Sequence, residues 1–168
     1  MPISQAVIDQ LGISEEILAN FMISEMRSIF TDLVGVDNAL RAPVLIEPIN
    51  TFTKNVTAIV GLVGSCSGLF RLHLPESMAL DIASKMLGSH LTTINDDALD
   101  AIGELANILA GSFEYHLTSH GNLFRLSPPS IFTGNEYFFT NKALDESIAI
   151  LCDVRDEWFM VSLTLVAQ

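Results

Sequence analysis

The segment from Asp100 to Gly111 constrains the fold most strongly, because its apolar residues recur with helical spacing. At 100° per residue, one helix face is apolar and the opposite face carries a narrow polar stripe. The apolar face consists of Leu99, Ile102, Ala106, Leu109, Ala110, Phe113 and Leu117. The polar stripe consists of Asp100, Glu104, Asn107, Gly111 and Glu114. This pattern predicts a core helix that presents its polar stripe to a partner.

The polar stripe differs from an ordinary solvated helix face. It contains no lysine or arginine that could pair with its carboxylates three or four residues away. Asn107 has poor helix propensity, and Gly103 and Gly111 each cost about 1 kcal/mol relative to alanine inside a helix. Two such glycines would let another surface approach the helix backbone. We therefore interpret the stripe as a docking face, and a plain solvated face is the alternative.

A longer motif contains this stripe. Asp100, Glu104 and Asn107 form Asp-x-x-x-Glu-x-x-Asn, and Pro128 and Pro129 follow about twenty residues later. This arrangement resembles the signature of the CheC/CheX/FliY phosphatases, which hydrolyse the aspartyl phosphate of CheY-type response regulators. The surrounding residues are most similar to CheX. Glu-x-x-Asn alone is weak, but its combination with the glycines, the prolines and the chain length is more specific.

The resemblance implies a protein aspartyl-phosphate phosphatase that ends a chemotaxis signal or another two-component signal. Glu104 and Asn107 are the predicted catalytic pair. The predicted partner-binding residues are Asp100, Gly103 and Gly111. The predicted structural residues of the motif are Pro128 and Pro129. Asp100 is open to two interpretations, a motif residue or only a charge near the helix start. The prolines are expected to shape the chain rather than to touch the substrate.

The chemistry of the pair follows from its side chains. A carboxamide donates and accepts hydrogen bonds without titrating, so Asn107 would orient the attacking water. The resemblance implies that Glu104 pairs with the lysine of the receiver domain, and a general-base role is the alternative. The receiver would bring its own Mg²⁺, so this chain is expected to need no cofactor. A non-catalytic binding module for a receiver or a flagellar switch component is the alternative function.

Composition excludes several other classes of function. The net charge of −12 and the lack of a basic cluster make nucleic acid and anionic membranes poor partners. No segment reaches the ~18 apolar residues of a membrane span, and the first residues do not resemble a signal peptide. A cytoplasmic protein is expected. Cys66 and Cys152 lie in apolar surroundings that favour buried free thiols, although their pairing stays open.

Helical and extended patterns alternate along the rest of the chain. The predicted helices run from Ser4 to Leu11, from an N-cap at Ser14 to Gly35, from Pro75 to Gly88, and from Asn95 to the region of His116 to Gly121. The predicted strands are Pro43 to Ile49, Thr51 to Gly64, Leu69 to Leu74, Leu123 to Phe132, Ser147 to Val154 and Trp158 to Val166. The first three strands should form an antiparallel meander, with Arg71 and His73 on a solvated side.

These elements predict one α/β domain of the α+β type over residues 1–168. A mostly antiparallel sheet would pack against long helices, in two loosely similar halves of one helix and three strands each. The first half lacks a second Glu-x-x-Asn, so one active site is expected. Exposed edge strands would permit a homodimer.

Two further groups of residues have the composition of a binding site. His116 and His120 are spaced for metal binding on a helix, but no third ligand is evident, and a role at the helix end is favoured. The glycine-rich segment from Gly61 to Gly68 lacks the lysine and the following helix of a phosphate loop, so it predicts a hairpin. Neither group is expected to bind a metal or a nucleotide.

Overall fold

The computed structural model describes residues 3–35, 41–46, 49–140 and 147–168. Four helices and seven strands occur within these residues. They are α1 (Gln5–Leu11), α2 (Glu15–Val34), β1 (Arg41–Ile46), β2 (Thr51–Gly64), β3 (Ser67–Pro75), α3 (Glu76–Leu87), α4 (Asp96–Ser119), β4 (Phe124–Leu126), β5 (Ser130–Phe138), β6 (Ser147–Val154) and β7 (Glu157–Val166). The predicted fold class is confirmed: one sheet with antiparallel pairing packs against the helices.

Local sequence signals fix where the helices begin and end. The Ser14 hydroxyl accepts a hydrogen bond from the Ile17 amide at 3.4 Å, and the Asn95 side chain accepts one from Ala98 at 2.9 Å. Gly35 closes α2 in a left-handed conformation with φ of 63°. The predicted N-caps of the two longest helices are therefore confirmed. Pro75 ends β3 and directly precedes α3, one position earlier than expected.

The strands follow the order β1-β6-β7-β3-β2-β4, and β5 also pairs with β2. The predicted meander is wrong for β1, which pairs with β6 instead of β2. One side of β2 is occupied by β3, and the other side is shared by β4 and β5. These three strands take up most of both sides of β2, and β1 lies at the far end of the sheet. Pairing of β3 with β7 joins the two halves of the chain into one sheet.

The predicted strand from Leu123 to Phe132 is divided into two strands. β4 ends at Leu126 and β5 begins at Ser130, so Pro128 and Pro129 lie between them. Proline has no N–H to donate to a neighbouring strand, which explains the break. The second half of the chain therefore contains four strands, one more than predicted. Of the predicted strand from Pro43 to Ile49, residues 47–48 lie outside the described residues.

The helices cover one face of the sheet and form the main core with it. Phe30 stacks on Phe159 with ring centroids 4.8 Å apart, and Phe70 contacts Phe113 at 6.3 Å. Cys66 and Cys152 are both free and buried there, as predicted. Burial raises the pKa of both thiols, that of Cys152 to about 12, which makes them unreactive at neutral pH. None of the helices in the described ranges is long and apolar enough to cross a membrane.

The opposite face of β3 is not solvated, so that part of the prediction is wrong. Arg71 and His73 are only 3% and 2% exposed. The His73 ring stacks on Phe52 at 4.2 Å, and its Nδ1 lies 2.8 Å from the Thr57 hydroxyl. Aromatic side chains on β2 and around the end of β5 cover this face, which the alternation of β3 by itself could not reveal. Burial, reinforced by the charge of Arg71, lowers the pKa of His73 to about 3.

We expect the buried His73 to make the fold sensitive to mild acid. Because its folded pKa of about 3 lies below the ordinary value of 6.5, the unfolded chain binds the proton first as the pH falls. This group should remove about 2 kcal/mol from the free energy of unfolding between pH 7 and pH 5. Chemical denaturation of wild type and His73→Gln at both pH values measures this effect.

The comparison isolates the proton that His73 binds, because every other titrating group is present in both proteins. The substitution itself changes the free energy of unfolding at pH 7. Between pH 7 and pH 5, the free energy of unfolding of His73→Gln should fall by about 2 kcal/mol less than that of wild type. Parallel pH dependence of the two proteins would show that His73 is not held neutral in the fold.

Candidate active site

Helix α4 carries the predicted site on its outer surface. Its apolar face is buried in the core, including Ile102, Leu105 and Leu109, while Leu99 at its start is half-buried. Burial of this face turns the polar stripe outward. Asp100 and Glu104 are exposed, and Asn107 is half-buried one turn after Glu104.

The side chains of Asp100, Glu104 and Asn107 make no hydrogen bond or ion pair with any described residue. Glu114, further along the same stripe, accepts a hydrogen bond from the Thr118 hydroxyl at 2.6 Å. A carboxylate and a carboxamide one turn apart can therefore both face a partner with their hydrogen-bonding capacity unused. Such a pair can bind a cation and orient a water molecule at the same surface.

Gly103 does not serve the role predicted for it. It is buried, and a Cβ atom added there would lie 3.2 Å from Ile131 Cδ1 and 3.3 Å from Pro129 Cγ. The surface that approaches the helix backbone at this position is the chain's own β5 and the proline before it. The prediction that Gly103 binds a partner is therefore corrected, because its face of the helix is already occupied.

Gly111 lies in a different environment, two turns after Gly103. It is half-buried, and an added Cβ atom would meet only Leu126 Cδ1, at 3.9 Å. That distance is an ordinary van der Waals contact. A role of Gly111 in partner binding stays a prediction, as does the choice between the two interpretations of Asp100.

The residues Ser127, Pro128 and Pro129 form a bend that we call the proline corner. The Ser127 amide donates to the Gly61 carbonyl at 2.9 Å, and the Gly61 amide donates to the Ser127 hydroxyl at 2.8 Å. The same hydroxyl donates to the Pro128 carbonyl at 2.9 Å. The prolines lie where the chain leaves β4, and Ser127 ties this bend to β2; that the prolines do not touch the substrate stays a prediction. The only sequence signal for this contact is a serine placed directly before two prolines.

The other candidate groups have structural partners. His116 Nε2 lies 2.6 Å from Glu25 Oε1, and its ring stacks on Phe21 at 4.4 Å, so His116 joins α4 to α2. Gly61 to Gly68 spans the β2–β3 hairpin, which confirms the hairpin prediction. In the described ranges, no three histidine, cysteine or carboxylate side chains lie close enough together to hold a metal ion.

The two helical glycines provide a matched pair of stability measurements. Gly111→Ala should raise the free energy of unfolding by up to about 1 kcal/mol, because alanine favours the helix and the space is open. Gly103→Ala gains the same propensity but pushes against Pro129 and Ile131. Overpacking of this kind costs about 1–3 kcal/mol, so this variant should be less stable than Gly111→Ala by that amount.

Denaturant unfolding of both variants beside wild type measures the difference. Equal stabilisation by the two substitutions would show that Pro129 and Ile131 can move away from a Cβ atom at position 103 without loss of stability.

Comparison with known proteins identifies the family. The family profile described as Chemotaxis phosphatase CheX matches residues 56–153, which contain the whole motif. The chain is 24% identical over 120 residues to CheY-P phosphatase CheX of Thermotoga maritima, covering 71% of this chain and 77% of that protein.

Solved structures share the fold. The chemotaxis protein CheX from Desulfovibrio desulfuricans has a TM-score of 0.75 at 23% identity, over 89% of this chain and 99% of that one. CheX in a CheX–CheY–BeF3–Mg²⁺ complex from Borrelia burgdorferi has a TM-score of 0.69 at 24% identity, over 88% and 97% of the two chains. Since the family profile covers more than half of the chain, this protein belongs to the CheX family of chemotaxis phosphatases.

Proposed function

We propose that this protein hydrolyses the aspartyl phosphate of a CheY-type response regulator. The observation that carries the proposal is the placement of Glu104 and Asn107 side by side on an outward face of α4, with no partner among the described residues. The named activity of the Thermotoga relative supports the substrate class. The Borrelia relative, solved together with CheY, supports a receiver domain as the partner.

The reaction requires little covalent chemistry from this chain. An aspartyl phosphate is an acyl phosphate and already reactive, so the remaining task is to place a water molecule in line with phosphorus. The Asn107 carboxamide can accept one hydrogen bond from this water and donate another to the phosphoryl group. A hundredfold acceleration corresponds to about 2.7 kcal/mol of transition-state stabilisation, which positioning can supply.

Glu104 supplies the negative charge that binds the receiver domain and so positions Asn107. Its carboxylate is exposed and has no cation beside it among the described residues, so it can pair with the lysine of the receiver's phosphorylation site. This ion pair would place Asn107 over the phosphorus. The receiver supplies Mg²⁺, and this chain supplies no cofactor of its own.

The biological setting follows from the partner. Receiver domains act in the cytoplasm, so we place this protein there, in chemotaxis or in another two-component pathway. A homodimer is part of the proposal. In the described part of the sheet, β1 lies at one end and β4 with β5 at the other, where a second copy could add its own strand.

Asn107→Ala should abolish the acceleration of dephosphorylation while leaving receiver binding intact. The measurement is the lifetime of phosphate on purified receivers from the same genome, with catalytic amounts of wild type or variant. We expect a loss of about a hundredfold or more in kcat, because the in-line water loses its orienting group. Binding of the receiver with an unchanged phosphate lifetime, even by wild type, would instead establish a non-catalytic binding module.

Glu104→Gln should weaken the docking of the receiver more than it slows the chemical step. Removing the charge but not the shape should raise KM roughly tenfold, since a charge-assisted contact is lost. Glu114→Gln is the matched control on the same stripe, because Glu114 is held by Thr118 within the helix. A KM that rises equally in both variants would show a general charge effect and no specific lysine pair.

A further inference from the structure

We propose that Ser127 is a positioning residue for Asn107, acting through the proline corner. This inference deepens the proposed phosphatase function and rests on it for its kinetic test. Ser127 makes no hydrogen bond to the Asn107 side chain, because its bonds within the described residues go to Gly61 and Pro128. Its role is to hold the chain segment that lies beside the carboxamide.

The proline corner runs alongside α4 at the level of Asn107. Leu126 lies beside Gly111, and Pro129 lies against Gly103. Asn107 is four residues from each glycine, midway between these two contacts. Eight helical residues rise about 12 Å, and the three steps from Leu126 to Pro129 can span at most about 10 Å. The corner therefore passes Asn107 in the direction opposite to the helix, which explains why Asn107 is half-buried while Glu104 is exposed.

The lean of helical side chains directs the carboxamide toward this corner. Side chains on a helix point back over the turn that precedes them. For Asn107 that turn contains Gly103, where no side chain is present and Pro129 fills the space. A Pro129 ring in that space would bound one side of the carboxamide and limit the rotamers that Asn107 can adopt. Glu104 leans over Asp100 on the exposed side and has no such boundary.

Ser127 is the residue that fixes the position of the corner. One hydroxyl accepts from the Gly61 amide at 2.8 Å and donates to the Pro128 carbonyl at 2.9 Å. Neither proline can donate a backbone hydrogen bond, so between the β4 and β5 ladders the corner is held by the Ser127 hydroxyl and by the Ser127 amide, which donates to the Gly61 carbonyl at 2.9 Å. The contact with β2 places the corner on the rigid sheet. It also explains why Gly61 is a glycine, because an added Cβ atom would lie 3.1 Å from the Ser127 hydroxyl oxygen.

The decisive comparison is between Ser127→Thr and Ser127→Val, which have nearly the same shape and differ in the hydroxyl. Steady-state dephosphorylation of a receiver should show kcat about tenfold lower for Ser127→Val, with KM within about twofold of wild type. Ser127→Thr should restore kcat. The control is Ser84→Ala. The Ser84 hydroxyl on α3 accepts a hydrogen bond from the Leu91 amide, which follows that helix, so this variant loses a comparable structural hydrogen bond. It should leave kcat unchanged.

A second measurement tests the positioning without any substrate. The side-chain amide resonances of Asn107, assigned by their loss in Asn107→Ala, should shift or broaden in Ser127→Val and stay unchanged in Ser127→Thr and Ser84→Ala. If wild type accelerates dephosphorylation but Ser127→Val retains full kcat, the phosphatase stands and the positioning role is wrong. If no receiver is dephosphorylated, the amide resonances still decide, and an unperturbed Asn107 in Ser127→Val overturns the proposal.

Discussion

Burial of the apolar face of α4 against the sheet is the interaction on which the rest of the structure depends. Ile102, Leu109 and Phe113 are at most 1% exposed, and each large apolar side chain buried in this way contributes about 1.5–3 kcal/mol. The same burial fixes the rotation of the helix about its axis. The residues opposite the core must then face outward, so the polar stripe is available to a partner as a consequence of packing.

The two sides of the polar stripe differ in how closely the rest of the chain packs beside them. Glu104 is exposed, whereas Asn107 is half-buried between Gly103, which Pro129 contacts, and Gly111, which Leu126 contacts, and the proline corner between these contacts is bonded to β2. An ion pair tolerates some movement, because the attraction between charges has little dependence on direction. Orientation of a water molecule tolerates much less. The carboxamide proposed to orient the water thus lies on the side facing the proline corner, and the carboxylate proposed to pair with the receiver lies on the exposed side.

Local signals in the sequence were sufficient for most of the elements. The caps at Ser14 and Asn95 and the limits of β2 and β6 agree with the predictions, because each depends on residues within one turn or one strand. Sheet pairing is not local, and β1 joined β6 rather than β2. Burial of His73 was also missed, since the aromatic side chains that cover it come from distant parts of the chain.

The sequence by itself determined that an acidic, apolar-rich chain contains a core helix with Asp100, Glu104 and Asn107 on one exposed stripe. Helical periodicity settles this, because side chains three and four residues apart must share a face. Only the tertiary structure decided what lies beside that stripe. Gly103 looked like an opening for a partner and proved to be the place where Pro129 and Ile131 pack. A glycine allows close approach of a surface, but which surface arrives there is set by the sheet topology, which brings β4 and β5 beside β2 and against the helix.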